Sequence, residues 1–141
     1  MKKKIILLCI LIAALVLEVL PNGVVIYFAN PEGEPYRETY SYFSLTPYGY
    51  ANIFPLITAV LTCVLLLLLI ISIILKKELG KSLAIIAGIA SALSLCPLPL
   101  FGTDEFTAIG AAISICLIAV TVIVSFKKWW LLLLKIGRVK N

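Results

Sequence analysis

The chain has 141 residues, 62% of them hydrophobic and only 13% charged, with a mean hydropathy of +1.14. Typical soluble domains are roughly 45–50% apolar and about 25% charged, and a domain this small leaves much of its surface in water. A free soluble enzyme and a disordered tail are therefore excluded, and the +5 net charge belongs to cations that cluster beside apolar runs and do not interleave with exposed aromatics along a soluble sheet or helix. No nucleic-acid partner is expected; the bilayer and its anionic lipids are.

The first apolar stretch, about 5–20, follows Lys2-Lys3-Lys4 and is broken only by Glu18. A helix rising 1.5 Å per residue needs about 20 residues to cross a ~30 Å hydrocarbon core. This stretch is short at its outer end, so it continues through Val24-Val25-Ile26 or thins the bilayer locally. Its exit, Leu17-Glu18-Val19-Leu20-Pro21, has no small-x-small site, and Cys9 lies too early for a lipoprotein signal. An uncleaved anchor is expected rather than a signal peptide.

Glu18 is the one ionisable residue inside a predicted span. An acid at a helix centre costs roughly 2.5–3.5 kcal/mol on insertion scales, and less near the interface. That makes it the candidate intramembrane site for a proton or cation. Its place near the outer end, about 21 Å of helix beyond Lys4, favours a plainer role, with the carboxylate reaching out to water or bonding to the loop backbone. The run Ala13-Ala14-Leu15-Val16-Leu17-Glu18-Val19 resembles, over those few residues, the first helix of small multidrug transporters. That resemblance implies four helices and transport through the Glu. The long outer loop and one-sided charge depart from the family.

The outer loop, 21–52, suits strands. Val24-Val25-Ile26-Tyr27-Phe28-Ala29 is β-branched and aromatic, Asn30-Pro31-Glu32-Gly33 is turn chemistry, and Tyr36 to Phe43 is rich in Tyr and Thr. The segment reads either as a β-hairpin packed on helix ends, since two strands alone are marginal in water, or as an irregular aromatic loop. The second span, about 53–75, has rival starts at Thr46-Pro47 and Asn52; with Asn52 as N-cap, Pro55 falls at the third helical position, where it is tolerated. Ser44-Leu45-Thr46-Pro47-Tyr48-Gly49-Tyr50-Ala51-Asn52-Ile53-Phe54-Pro55, with the Leu-Ile-Thr-Ala run ending at Ala59, resembles the start of the second helix in uncharacterised small four-helix bacterial membrane proteins. The resemblance implies their topology and carries no activity.

The third and fourth spans, about 82–100 and 107–126, carry small residues at four-residue spacing. Ala84, Gly88 and Ala92 form one stripe, and Ala108, Ala112 and Cys116 another. Such stripes let helix backbones approach closely in lipid. Packing of these two helices on each other is the expected use, and a homo-oligomer face the alternative. In the tail, 127–141, Lys127, Lys128, Lys135 and Arg138 share one helical sector, with Leu132, Leu133, Ile136 and Trp129 opposite and Trp130 beside them. That pattern predicts an amphipathic helix on the membrane surface.

All but one of the 12 Lys and Arg residues fall on one side of a four-pass chain; the other side holds only Arg37, with Glu32, Glu34, Glu38, Asp104 and Glu105. The positive-inside rule then puts both termini in the cytoplasm. The expectation is a single all-α membrane domain, a four-transmembrane-helix bundle in the cell membrane with a small outer segment. The four cysteines, one per span and without a C-x-x-C, read as small hydrophobes, and the lack of His removes the usual metal chemistry. No catalytic, cofactor or metal site is expected. Two function classes stay open. One is a non-enzymatic component acting through helix or loop contacts, with itself or another membrane protein. The other is a small proton- or cation-coupled transporter or pore using Glu18.

Overall fold

The structure, a computed structural model, describes residues 2–49, 52–76, 79–102 and 106–138; the side chains of Phe101 and residues 126–138 lie outside that description. In chain order the elements are α1 (Lys2–Val19), β1 (Val24–Phe28), β2 (Tyr36–Tyr40), α2 (Leu45–Gly49), α3 (Phe54–Ile74), α4 (Gly80–Leu95), α5 (Pro97–Phe101) and α6 (Ala108–Arg138).

The four long helices pack in a ring, with α1 between α3 and α6, and α4 between the same two on the far side. Each neighbour runs antiparallel. Lys4, at the start of α1, donates to the Ser72 carbonyl and hydroxyl near the end of α3, both at 2.9 Å. Glu18, at the end of α1, meets Thr62 in the first half of α3. Across the other seam Ser91 of α4 meets Thr121 of α6, while Ser114 of α6 reaches Ser94. Leu7, Leu11, Leu65, Leu69, Ile113 and Leu117 fill the centre.

Three stretches are long and apolar enough to cross a membrane: Phe54–Ile74, Gly80–Leu100 and Ala108–Ser125. Helix α1 spans 18 residues, but it carries four charged residues, Lys2, Lys3, Lys4 and Glu18, and is not among the three. The third expected span is two helices in series. Pro97 has no N–H to give the Leu93 carbonyl, and α4 yields to α5 there. The fourth span does not stop before the tail. Nothing between Ser125 and Lys128 breaks a helix, and α6 runs on unbroken to Arg138 over 31 residues, about 46 Å. The backbone at Lys127, Lys128, Trp129, Trp130, Lys135 and Arg138 therefore continues α6 instead of starting a separate helix, and their side chains lie outside the described residues.

The hairpin is present. β1 and β2 pair antiparallel, Val24 opposite Tyr40 through Phe28 opposite Tyr36, around a turn closed by the Gly33 N–H to the Asn30 carbonyl and the Glu32 N–H to the Asn30 side chain. Phe28 stacks on Tyr36 with ring centroids 5.2 Å apart. Val24, Val25 and Ile26 are buried, while β2 begins exposed. The start of α3 differs from expectation: Ile53 occupies the N-cap without a side-chain bond, Pro55 sits in the first turn, and Asn52 instead gives its N–H to the Pro47 carbonyl at 2.9 Å. Thr46-Pro47 does not start the span either; both lie inside a separate short helix, α2, which begins at Leu45.

Candidate functional site

The buried residues of α1 are Leu7, Leu11, Ala14 and Glu18. Steps of four and three put them on one face of the helix, so Glu18 continues the stripe that faces the core. Its carboxyl is 0% exposed. The expected outward reach to water is thus overturned: helix phase, not depth along the axis, decides where this side chain goes. Its bond is not to the loop backbone either. Thr62 places its hydroxyl 2.7 Å from Glu18 Oε1 and 3.0 Å from the Thr58 carbonyl one turn back. Thr58, Thr62, Leu65, Leu69 and Ser72 make the matching stripe on α3. Glu18 Oε2, Thr58 Oγ1 and Asn52 Oδ1 are buried without a hydrogen-bond partner among the described residues, and all three belong to the hairpin end of the α1–α3 pair.

Tyr42, 3% exposed, closes that end. Its N–H bonds to the Glu18 carbonyl at 3.0 Å. Its ring lies so close to Gly23 that a Cβ there would come within 2.9 Å of the ring edge, and a Cβ on Gly110 would stand 3.3 Å from the phenol oxygen. Thr107 holds the two glycine segments together, donating to the Gly23 carbonyl at 2.8 Å and accepting from the Gly110 N–H at 2.9 Å. Val24 adds a bridge to Phe106. Burial pushes the Tyr42 phenol well above its ordinary range, which keeps its proton in place. The hairpin is therefore docked on the bundle by a buried aromatic wedge, not merely tethered to it.

The small-residue stripes are placed differently from expectation. The inward residues are Ala87, Ala90, Ser91 and Ser94 on α4 and Gly110, Ile113, Ser114 and Leu117 on α6, and the two helices meet at Ser91–Thr121 and Ser94–Ser114. Ala92 and Ala108 are exposed, Ala84 and Ala112 are half-buried, and nothing stands within 4 Å of a Cβ built on Gly88. Both faces of α4 are apolar, so residue size alone did not mark the inner one. The serines did, since a hydroxyl in lipid gains most from a neighbouring helix. Ser91 donates to the Ala87 carbonyl at 2.8 Å and shares a 2.9 Å contact with Thr121, which bonds back to Leu117 at 2.9 Å.

Cys9 is exposed on α1, and Cys63, Cys96 and Cys116 are half-buried and unpaired. Among the described residues no group of three or more His, Cys, Asp or Glu is placed to hold a metal. An open cleft of about 530 Å³ lies between β2 and the start of α6, lined by Asn22, Arg37, Thr39, Thr107, Ala108 and Ile109.

Three transmembrane-length helices in one chain mark a multi-pass membrane protein, with Glu18 its one buried acid among the described residues. Comparison with protein-family models, with curated proteins and with solved structures gives no match.

Proposed function

We propose that the chain is a four-crossing membrane protein with both termini cytoplasmic, acting as a non-enzymatic component through contacts made by its hairpin cap. The observation that carries this reading is the way the cap is held. Val24, Val25 and Tyr42 are buried against the bundle, while β2, the other strand of a two-stranded sheet, turns Tyr36, Arg37 and Glu38 outward. A firmly docked support with a free strand edge suits recognition of another chain. The exposed rings of Tyr27, Tyr36 and Tyr48 suit the headgroup layer around it. Helix α1 supplies the fourth crossing, with Lys2 to Lys4 at the cytoplasmic interface beside anionic lipid.

Two measurements test this. Cysteines introduced at positions 34 and 79, in a chain lacking its four native thiols, are expected to label from outside and from the cytoplasm respectively; the reverse pattern overturns the topology. Photo-crosslinkers at Tyr36 and Glu38 are expected to trap one partner in native membranes, and crosslinkers at Ile85 on the lipid-facing side of α4 are not. A proton- or cation-coupled carrier is the second reading, favoured by the burial of Glu18 inside the bundle. Flux in proteoliposomes that vanishes with Glu18→Gln, without any cap adduct, puts it first.

A further inference from the structure

The Thr62 hydroxyl touches two oxygens that both want a proton. Glu18 Oε1 is 2.7 Å away and the Thr58 carbonyl 3.0 Å, yet a hydroxyl carries one hydrogen. With an ionised Glu18, the carboxylate and the carbonyl must compete for it, and Oε2 is left as a buried charged oxygen with no partner. A proton on the carboxyl resolves the competition. Oε1–H then donates to Thr62 Oγ1, and Thr62 gives its own hydrogen to the Thr58 carbonyl, as helical threonines commonly do. Oε2 becomes the carbonyl oxygen of a neutral acid, which is far less costly to leave bare than a carboxylate oxygen.

Among the described residues no cation is buried beside Glu18; Arg37, on the cap, is exposed and lines the cleft with Asn22 and Thr107. Helix α1 packs against α3 and α6, and neither Phe54–Ile74 nor Ala108–Ser125 contains a charged residue. The titratable groups near this level are Tyr42 from the connection, Cys63 on α3 and Cys116 on α6, all neutral in their protonated forms. Lys4 belongs to the opposite end of α1, on Ser72.

We propose that Glu18 is a proton-binding site, carried as the neutral acid that donates to Thr62, and that loss of its proton releases the junction of α1, α3 and the hairpin cap. The coupling to the cap is direct, because the Glu18 carbonyl accepts the Tyr42 N–H, and Tyr42 is the wedge between Gly23 and Gly110. A carboxylate that turns toward water leaves its buried place beside Thr62 empty next to the backbone that holds Tyr42, and the packing of that junction loosens. The folded chain then holds a proton that the unfolded chain releases at neutral pH. Its stability consequently falls as pH rises, by about tenfold in the folding equilibrium for each pH unit over which the two states differ by one proton. This inference is independent of the partner reading above and requires no transport.

Infrared difference spectra of the full chain in detergent test the proposal directly. The carbonyl stretch of a protonated carboxyl is expected at neutral pH, absent from Glu18→Gln and shifted in Thr62→Val, which loses the acceptor hydroxyl. Raising the pH is expected to remove the band together with the hydrogen-exchange protection of the Val24–Phe28 amides, relative to Glu18→Gln at the same pH. If Glu18→Gln fails to fold, the shift in Thr62→Val and the joint alkaline loss of band and protection decide alone. No protonated band at neutral pH, a band unaffected by Thr62→Val, or protection that follows sodium concentration instead of pH overturns the proposal.

Discussion

Beyond the Lys4–Ser72 contact at one end of α1, polar side chains enter the apolar interior at the α4–α6 seam and at the hairpin junction, and the bundle treats these two differently. Along the α4–α6 seam every buried hydroxyl is engaged: Ser91, Ser94, Ser114 and Thr121 each bond to a carbonyl three or four residues back, and Ser91 and Ser114 also reach the facing helix. At the hairpin junction Glu18, Thr58 and Asn52 each keep a buried oxygen without a hydrogen-bond partner among the described residues, although Tyr42, Gly23, Gly110 and Thr107 pack tightly on one another beside Glu18. The seam spends its polar groups on holding two helices together. The junction is equally close in its packing but incomplete in its hydrogen bonds, the combination expected where structure responds to a proton or a partner.

The sharpest way to break the comparison is to remove the wedge. Tyr42→Ala deletes a buried ring, and large aromatic truncations cost about 3–5 kcal/mol. Here the loss should be local: proteolysis and hydrogen exchange of Val24–Phe28 are expected to rise steeply, while exchange of α4 and α6 amides around Ser91 and Leu117 stays slow. Equal loosening of both regions would show that cap and seam are one cooperative unit.

A smaller effect separates two glycines. Gly110→Val drives a branched side chain toward the Tyr42 phenol and Thr107, already 3.3 Å from a Cβ, and overpacking of this kind costs about 1–3 kcal/mol. Gly88→Leu meets open space and is expected to shift the thermal midpoint of the monomer in detergent little or upward, since Leu favours helix over Gly by up to about 1 kcal/mol. A destabilising Gly88→Leu would place a second chain on the Ala84–Gly88–Ala92 face, which thermal scans across protein concentration would show.

The same two regions mark where the sequence is readable. The long apolar runs of α3 and the first part of α6 announce themselves by length, and the strand chemistry of Val24–Phe28 with the Asn30–Gly33 turn announces the hairpin. Which face of a lipid-embedded helix turns inward is less visible, because Leu and Ile serve equally well against lipid and against protein. On α4 the inward face was marked by Ser91 and Ser94, not by the small stripe at Ala84, Gly88 and Ala92. On α1 the spacing of Leu7, Leu11 and Ala14 already carried the phase of Glu18, and only its depth argued for water. The role of Tyr42 had no local signal. It depends on two glycines, Gly23 and Gly110, that come together only when the ends of α1 and α6 meet.

The seam itself offers the finest test, because its claim is small. Ser91 and Thr121 touch at 2.9 Å, but each also has a carbonyl one turn back on its own helix. If the cross-helix contact merely supplements those bonds, losing it leaves no orphaned donor, and the full desolvation penalty of a lost buried partner does not arise. Ser91→Ala and Thr121→Val should therefore each cost about 1 kcal/mol or less, and their double-mutant cycle should give a coupling near the ~0.6 kcal/mol average for interhelical hydrogen bonds in a membrane protein. A coupling near zero makes the contact incidental and leaves apolar packing to hold the pair. A coupling well above about 1.7 kcal/mol, the top of that measured range, means the hydroxyls lean on each other more than on their own carbonyls, and the seam is then as sensitive to a single polar loss as the junction is.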